Sequence, residues 1–318
     1  MQFVKMHGAG NDFVLLDMLA AGADRDAQDW GKLAQKICDR HFGIGADGLL
    51  LILPSSFADA RMRMFNPDGS ESSSCGNGIR CLGRYVRDRH GLGASGLRVE
   101  TGAGISTIRI ATDGAVTVDM GNPILDPGGI PVTVAGEDAL DVTLNLDEGP
   151  LAVSCVSMGN PHAVTFLESG SLATYPLETI GPRVEHHALF PERTNFEVCE
   201  VVAPHFMRVR VWERGAGITL ACGTGACASV VVAAITKRVQ RPVRVELPGG
   251  TLTIDWDGAG PVLMTGPAEY VYTGTYSSSE FRVPSSESRA SALRSQVSSP
   301  RARGQSQFDP ERVEANVS

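Results

Sequence analysis

The chain has 318 residues, 42% of them hydrophobic and 20% charged, with a formal net charge of −8. That composition suits a globular protein with room for two domains, and the acidic balance excludes nucleic-acid binding as the main task. No apolar run reaches the roughly 20 residues of a membrane span. Seven cysteines behind an N-terminus without a basic leader fit free thiols in a reducing cytoplasm.

Taken in chain order, Phe3, Val4 and Met6, then Phe13 to Leu16, read as strands around the turn Gly8-Ala9-Gly10-Asn11-Asp12. Asp29 to His41 has helical periodicity beside an acidic cap. Leu49 to Leu53 reads as a buried strand and Ala60 to Phe65 as an alternating one; the turn Asn66-Pro67-Asp68-Gly69 follows. A helix then runs to His90-Gly91, with glycine as its stop. Leu97 to Val118 alternates as two or three strands, and the chain crosses into a second half near Gly121-Asn122-Pro123.

The second half repeats the plan. Strands are expected near Val142–Leu146, Leu151–Val156 and Ala163–Phe166, then a helix around Ile180–His187, then strands Phe196–Val202 and Met207–Trp212. A second glycine-started helix follows, then strands Val243–Leu247 and Thr251–Trp256, and a last strand from Val262 to Tyr272 that suits either half. A repeat this long reads as duplication into two lobes rather than a solenoid. From about Ser277 to Ser318, Ser, Arg, Glu, Gln and Pro dominate, the composition of a disordered tail.

The chemistry concentrates where the halves repeat. Ser74-Cys75-Gly76-Asn77-Gly78 and Ala221-Cys222-Gly223-Thr224-Gly225 each put a lone cysteine before a glycine-rich helix start. Unpaired N–H groups and the helix dipole favour an anion there, so each thiol is expected to ionise nearer neutrality than a free one. Two such thiols can face each other across one carbon, one removing a proton and the other supplying one. The glycines Gly76, Gly78, Gly223 and Gly225 let backbone N–H groups approach a carboxylate. None of the four lysines (Lys5, Lys32, Lys36, Lys237) has a setting that suggests a pyridoxal Schiff base.

Cys38, Cys155 and Cys199 read as core residues, and Cys81 and Cys227 as packing within the helices. A zinc site would need a C-x2-C pair with partners, and the cysteine spacing here differs. Asn11, Asn66, Asn160 and Asn195 stand at strand ends or turns, and Glu213-Arg214 precedes Gly215-Ala216-Gly217. Together these could hold a second amino-acid zwitterion, Arg on the carboxylate and Glu on the ammonium. His162, in Met158-Gly159-Asn160-Pro161-His162, is placed to tune a thiol.

The chain resembles the diaminopimelate epimerase family through MHGAGNDF (6–13), FGIGADG (42–48), FNPDGSESSSCGNGIRC (65–81), SMGNPH (157–162), ERTNFE (192–197), WERGAG (212–217), ACGTGACA (221–228) and LPGG (247–250). The resemblance runs from Met1 to about Thr275. It implies an α/β (α+β) fold of two pseudo-symmetric lobes, each a barrel-like, mainly antiparallel sheet around a central helix. Residues 1–121, completed by a strand at 265–276, would carry Cys75, and 122–264 would carry Cys222. It implies cofactor-independent, pyridoxal-free and metal-free interconversion of LL- and meso-diaminopimelate by an acid/base pair, Cys75 and Cys222, in lysine and peptidoglycan-precursor biosynthesis. Carried over residue by residue, Asn11, Asn66, Gly76, Asn77, Asn160, Asn195, Glu213, Arg214, Gly223 and Thr224 bind substrate. His162 and Glu213 tune the thiols, and Tyr272 lies at a homodimer interface. Some members carry glutamine where this chain has Gly48. The competing readings are a racemase for another amino acid on the same fold, a non-catalytic binding protein and a zinc-stabilised module.

Overall fold

Period-two alternation of apolar residues builds most of this protein. The structure is a computed structural model that describes residues 1–19, 29–73, 75–93, 96–134 and 136–277. Gln2–Gly8 (β1) and Asn11–Asp17 (β2) form a hairpin. Its two-residue turn has Ala9 at φ 55° and Gly10 at φ 84°, the left-handed pair that matches strand twist. Helix Trp30–Ile37 (α1) is capped by the Asp29 side chain, which accepts from Lys32 N. It crosses over to Gly48–Leu53 (β3), which runs parallel to β2. The unbroken apolar run of β3 is buried along its whole length, as its lack of alternation requires.

Ala60–Phe65 (β4) and Glu71–Ser72 (β5) lead to Gly76–His90 (α2), which ends on left-handed Gly91. Leu97–Thr101 (β6), Gly104–Ile110 (β7) and Val116–Asp119 (β8) follow. The second half runs Val142–Leu146 (β9), Gly149–Ser157 (β10), Pro161–Leu167 (β11), Leu177–Glu185 (α3), Asn195–Ala203 (β12), Phe206–Glu213 (β13), Gly217–Thr219 (β14) and Gly223–Ile235 (α4). It continues with Val243–Leu247 (β15), Gly250–Asp255 (β16), Leu263–Gly266 (β17) and Glu269–Thr275 (β18).

Strand pairing repeats in order. In the first half β1–β2 is antiparallel, β2–β3 parallel, β3–β4 and β4–β5 antiparallel, β4–β6 parallel, and β6–β7 and β7–β8 antiparallel. Strands β10 to β17 show the same sequence of pairings. The two sets join antiparallel where β8 meets β17. Each set carries one extra strand at its start, β18 on β1 and β9 on β10. Helix α2 packs on β1, β2, β3, β4, β7 and β8, and α4 on β10, β11, β12, β13 and β16. The fold is mixed α/β, mostly sheet with few helices, and Gln2 to Ser277 forms one compact unit.

The single last strand expected from Val262 to Tyr272 is instead two. Pro267 interrupts the ladder, so β17 stays on β8 and β16 while β18 turns to β1. The short strands β5 and β14 were not legible, since two or three residues carry no period. The serine-rich segment lies, from residue 278 on, outside the described residues.

Helix α3 is fastened to β13 by Trp212, whose indole Nε1 donates to Glu185 Oε2 at 2.7 Å. A Cβ on Gly181 of α3 would stand 2.5 Å from that ring. Gly181→Ala should therefore overpack this contact, cost about 1–3 kcal/mol and lower the melting temperature by roughly 2–10 °C. An unchanged melt would show that the indole moves freely.

Candidate active site

Both cysteine motifs fold as N-caps. Cys75 (φ −152°, ψ 107°) and Cys222 (φ −118°, ψ 112°) are extended residues immediately before α2 and α4. Each sulfur accepts from the N–H three residues on, Gly78 to Cys75 Sγ and Gly225 to Cys222 Sγ, both at 3.3 Å. The N–H groups of Gly76, Asn77, Gly223 and Thr224 belong to the first turns, where helix geometry supplies no carbonyl partner.

The two helix starts meet. Asn77 Nδ2 donates across to Ala221 O at 3.3 Å, and a Cβ on Gly223 would lie 3.9 Å from Asn77 Oδ1. Met264 of β17 lies against both: a Cβ on Gly76 would meet its Cε at 3.0 Å, and one on Gly223 its Sδ at 3.1 Å. Glycine at these two places lets Met264 pack closely against both helix starts as well as leaving an opening for ligand.

Asn77 also donates to Asn11 Oδ1 at 3.2 Å, and Asn11 Nδ2 donates to Asp47 Oδ2 at 2.8 Å. Asp47 belongs to an ion network in which Arg40 bridges Asp12 and Asp47, and buried Lys5 pairs with Asp12 and donates to Gly45 O. Lys5 is thereby committed to an ion pair. On the other side, His162 Nδ1 donates to the fully buried Glu197 Oε1 at 2.7 Å, and its Nε2 lies 3.0 Å from Asn160 Oδ1. Asn160 Nδ2 donates to Thr224 Oγ1 at 3.4 Å, and that hydroxyl lies 3.5 Å from Cys222 Sγ. His162 thus reaches the thiol through Asn160 and Thr224.

Asn195 Nδ2 donates to Pro161 O, and its Oδ1 accepts from Arg214 N, which fixes the start of the Arg214 loop. The half-buried Arg214 guanidinium donates to Glu192 O. Glu213 Oε1 accepts from Thr219 Oγ1 at 2.5 Å, and burial pushes this carboxyl up from its usual value. Asn66 bonds within its own turn, to Ser70 Oγ at 2.9 Å, and no described contact joins it to the helix starts. Tyr272 lies apart on β18, exposed, its ring edge-on to Phe3 at 5.8 Å. A side chain at Gly48 would meet Met64 Cε at 2.9 Å, so this methionine fills space that a larger residue would take.

The expected drop in thiol pKa is not what the geometry produces. Burial pushes Cys75 up, opposed by the Gly78 N–H and the Arg80 charge. Burial, then the charges of Glu213 and Glu197, push Cys222 well above its usual value. Desolvation outweighs one turn of helix dipole. Sequence reasoning also missed Arg80, Glu197 and Asp47, which fell inside quoted motifs but were assigned no role there. Among the described residues, no group of three or more His, Cys, Asp or Glu is placed to hold a metal ion.

Comparison with known proteins gives the family and the fold. The family profile described as diaminopimelate epimerase matches residues 3–125 and 154–271. The diaminopimelate epimerase of Desulfitobacterium hafniense is 50% identical over 278 residues, covering 86% of this chain and 97% of that one. That of Synechococcus elongatus is 49% identical over 278 residues, covering 86% and 98%. Solved structures share the fold at low identity. A phenazine biosynthesis protein of the PhzF family from Bacillus anthracis gives TM-score 0.62 at 18% identity, over 86% of this chain and 98% of that one. A probable proline racemase from Agrobacterium radiobacter gives 0.62 at 14%, over 87% and 92%.

The ion network behind Asn11 has a measurable signature. Burial raises the Asp12 carboxyl, but hydrogen bonds from Arg40 and Lys5 and the Lys5 charge outweigh it and hold the pKa at about 2 against the usual 3.8. A carboxyl depressed in the folded state stabilises above about pH 4, and the contribution is lost as pH falls through about 2. After allowance for solvent screening, acidification from about pH 5 to about pH 2 should cost the wild type about 1–2 kcal/mol more than Asp12→Asn. Parallel losses in denaturant unfolding would refute this assignment.

Proposed function

The chain belongs to the diaminopimelate epimerase family, and from that membership we propose that it interconverts LL- and meso-diaminopimelate with Cys75 and Cys222 as its acid/base pair. The observation that carries the reading is the meeting of two cysteine-capped helix starts at Asn77. The substrate's reacting carboxylate would lie between the two first turns and accept from the N–H groups of Gly76, Asn77, Gly223 and Thr224. Those donors also take up charge as the α-carbon loses its proton. One thiolate removes the proton from one face while the opposite thiol delivers its own to the other.

The distal amino-acid group falls to Asn66, Asn160, Asn195, Glu213 and Arg214, the guanidinium taking the carboxylate and Glu213 the ammonium. In this reading His162 and Glu213 tune the thiols. The bases are thiols held in a site with little water, and no pyridoxal or metal is required. We also propose that residues 1–121 with the strand at 265–276, and residues 122–264, are two lobes enclosing the site. The exposed β18 carrying Tyr272 would join two copies in a dimer. Among the described residues, no helix is long and apolar enough to cross a membrane, and a cytoplasmic place in lysine and peptidoglycan-precursor synthesis follows from the reading.

Cys75→Ala and Cys222→Ala should each lower epimerisation of LL-diaminopimelate by about 10² to 10⁴ while circular dichroism stays unchanged. Proline and lysine serve as control substrates. A variant keeping more than about a tenth of the wild-type rate would sink the two-thiol mechanism, since loss of an essential acid or base costs more than that. Turnover of proline in preference to diaminopimelate would favour the racemase reading.

A further inference from the structure

The two halves place different side chains at matched positions under their helix starts. Gly78 and Gly225 are each the third residue of their helix. A Cβ on Gly78 would meet Leu50 Cδ2 at 3.1 Å, whereas one on Gly225 would meet Glu197 Oε1 at 2.7 Å. Leu50 and Glu197 are the third residues of matched strands β3 and β12, and both are fully buried. Arg80 and Cys227 are likewise the fifth residues of α2 and α4, both fully buried. The first half thus combines methyl groups with a guanidinium, and the second a carboxylate with a neutral thiol.

The buried Arg80 charge is not used up elsewhere, and only one oxygen of the Glu197 carboxylate is bonded. Among the described residues Arg80 has no carboxylate partner. It donates to Asn77 Oδ1 at 2.8 Å, Pro267 O at 3.1 Å and Gly76 O at 3.2 Å, with Met264 Sδ at 3.7 Å. The charges acting on it belong to thiols, those of Cys81, Cys75 and Cys227. Glu197 has its Oε1 on His162, while its Oε2 is buried without a partner. A buried charge without an opposite partner is destabilising; Arg80 has none among the described residues and Glu197 has only His162 on one oxygen, and each lies beside one of two otherwise matched thiols. The Glu197 carboxylate already occupies the positive end of α4, so a Cys222 thiolate would be a second anion on one helix start.

We propose that Arg80 and Glu197 are positioning residues that make the matched thiols unequal, so that in the resting protein Cys75 is the readier base and Cys222 is held as the acid. This rests on the function proposed above. The Cys75 thiolate would take the α-proton and become a thiol, while the Cys222 thiol gives its proton to the opposite face and becomes a thiolate. The reverse reaction starts from that second form, and exchange of one proton with water on each thiol restores the first. The titratable groups acting on Cys222 are Glu213 and Glu197, with His162 bonded to the latter; on Cys75 they are Arg80 and, opposing it, Glu213.

The test uses the full chain without substrate, treated with iodoacetamide across a series from about pH 6 to about pH 10, the range over which thiols ionise. Modification of each cysteine is read by peptide mass spectrometry. Wild-type Cys75 should be modified from a lower pH than Cys222. In Glu197→Gln the Cys222 profile should move down by about one pH unit, with Cys75 unmoved. In Arg80→Met the Cys75 profile should move up by a similar amount. Because Arg80 also braces Asn77, Glu197→Gln decides the matter if Arg80→Met fails to fold. A Cys222 profile unmoved in Glu197→Gln, or wild-type Cys222 reacting before Cys75, would overturn the proposal. The assay needs no turnover: a wild type inactive on diaminopimelate would refute the proposed function and leave the order of alkylation to be judged by itself.

Discussion

Two helix starts from distant parts of the chain are held together by one buried carboxamide. Asn77 donates to Ala221 O and Asn11 Oδ1 and accepts from Arg80, so its orientation is determined from three directions. Met264 fills the remaining gap between the first turns, so a Cβ at Gly76 or Gly223 would have to displace the end of its side chain. Everything proposed for the chemistry depends on this junction, because a carboxylate can accept from both helices only if their first turns face the same point. The network Lys5–Asp12–Arg40–Asp47 stands behind it, fixing Asn11 through ion pairs rather than packing.

Duplication explains the frame, and departures from it explain the chemistry. Both sets of strands repeat one order of pairing, and both central helices begin on a cysteine that caps through its sulfur. A perfectly repeated site would give two thiols of equal basicity, with no reason for one to rest as base. Leu50 against Glu197 and Arg80 against Cys227 remove that equality with one buried charge on each side. Gly225 is what permits the carboxylate on the second side, since a Cβ there would collide with it.

Much of this was legible in the residues. Both cysteine helices, the strands Ala60–Phe65, Val142–Leu146 and Val243–Leu247, and the Gly91 stop follow from periodicity and cap chemistry. What escaped was whatever depends on residues far apart in sequence. Nothing local to the helix marks Arg80 as buried; Pro267 and Met264, far along the chain, pack around it. Glu197 alternates with apolar neighbours as a solvent-facing residue would, yet its face is covered by α4. The thiols were expected to ionise easily because the dipole is local and visible, whereas the desolvation that outweighs it belongs to the assembled core.

The central claim is that protons enter and leave on opposite faces of one carbon, through two groups. The most direct measurement is early turnover of unlabelled LL-diaminopimelate in heavy water, with product and recovered substrate analysed separately by mass and NMR. Two thiols acting in this way should place solvent deuterium at the inverted carbon of the product, while recovered substrate remains almost unlabelled. Return of the original hydrogen to the product, or equal labelling of both pools from the first turnover, would mean a single exchanging base and would contradict the account.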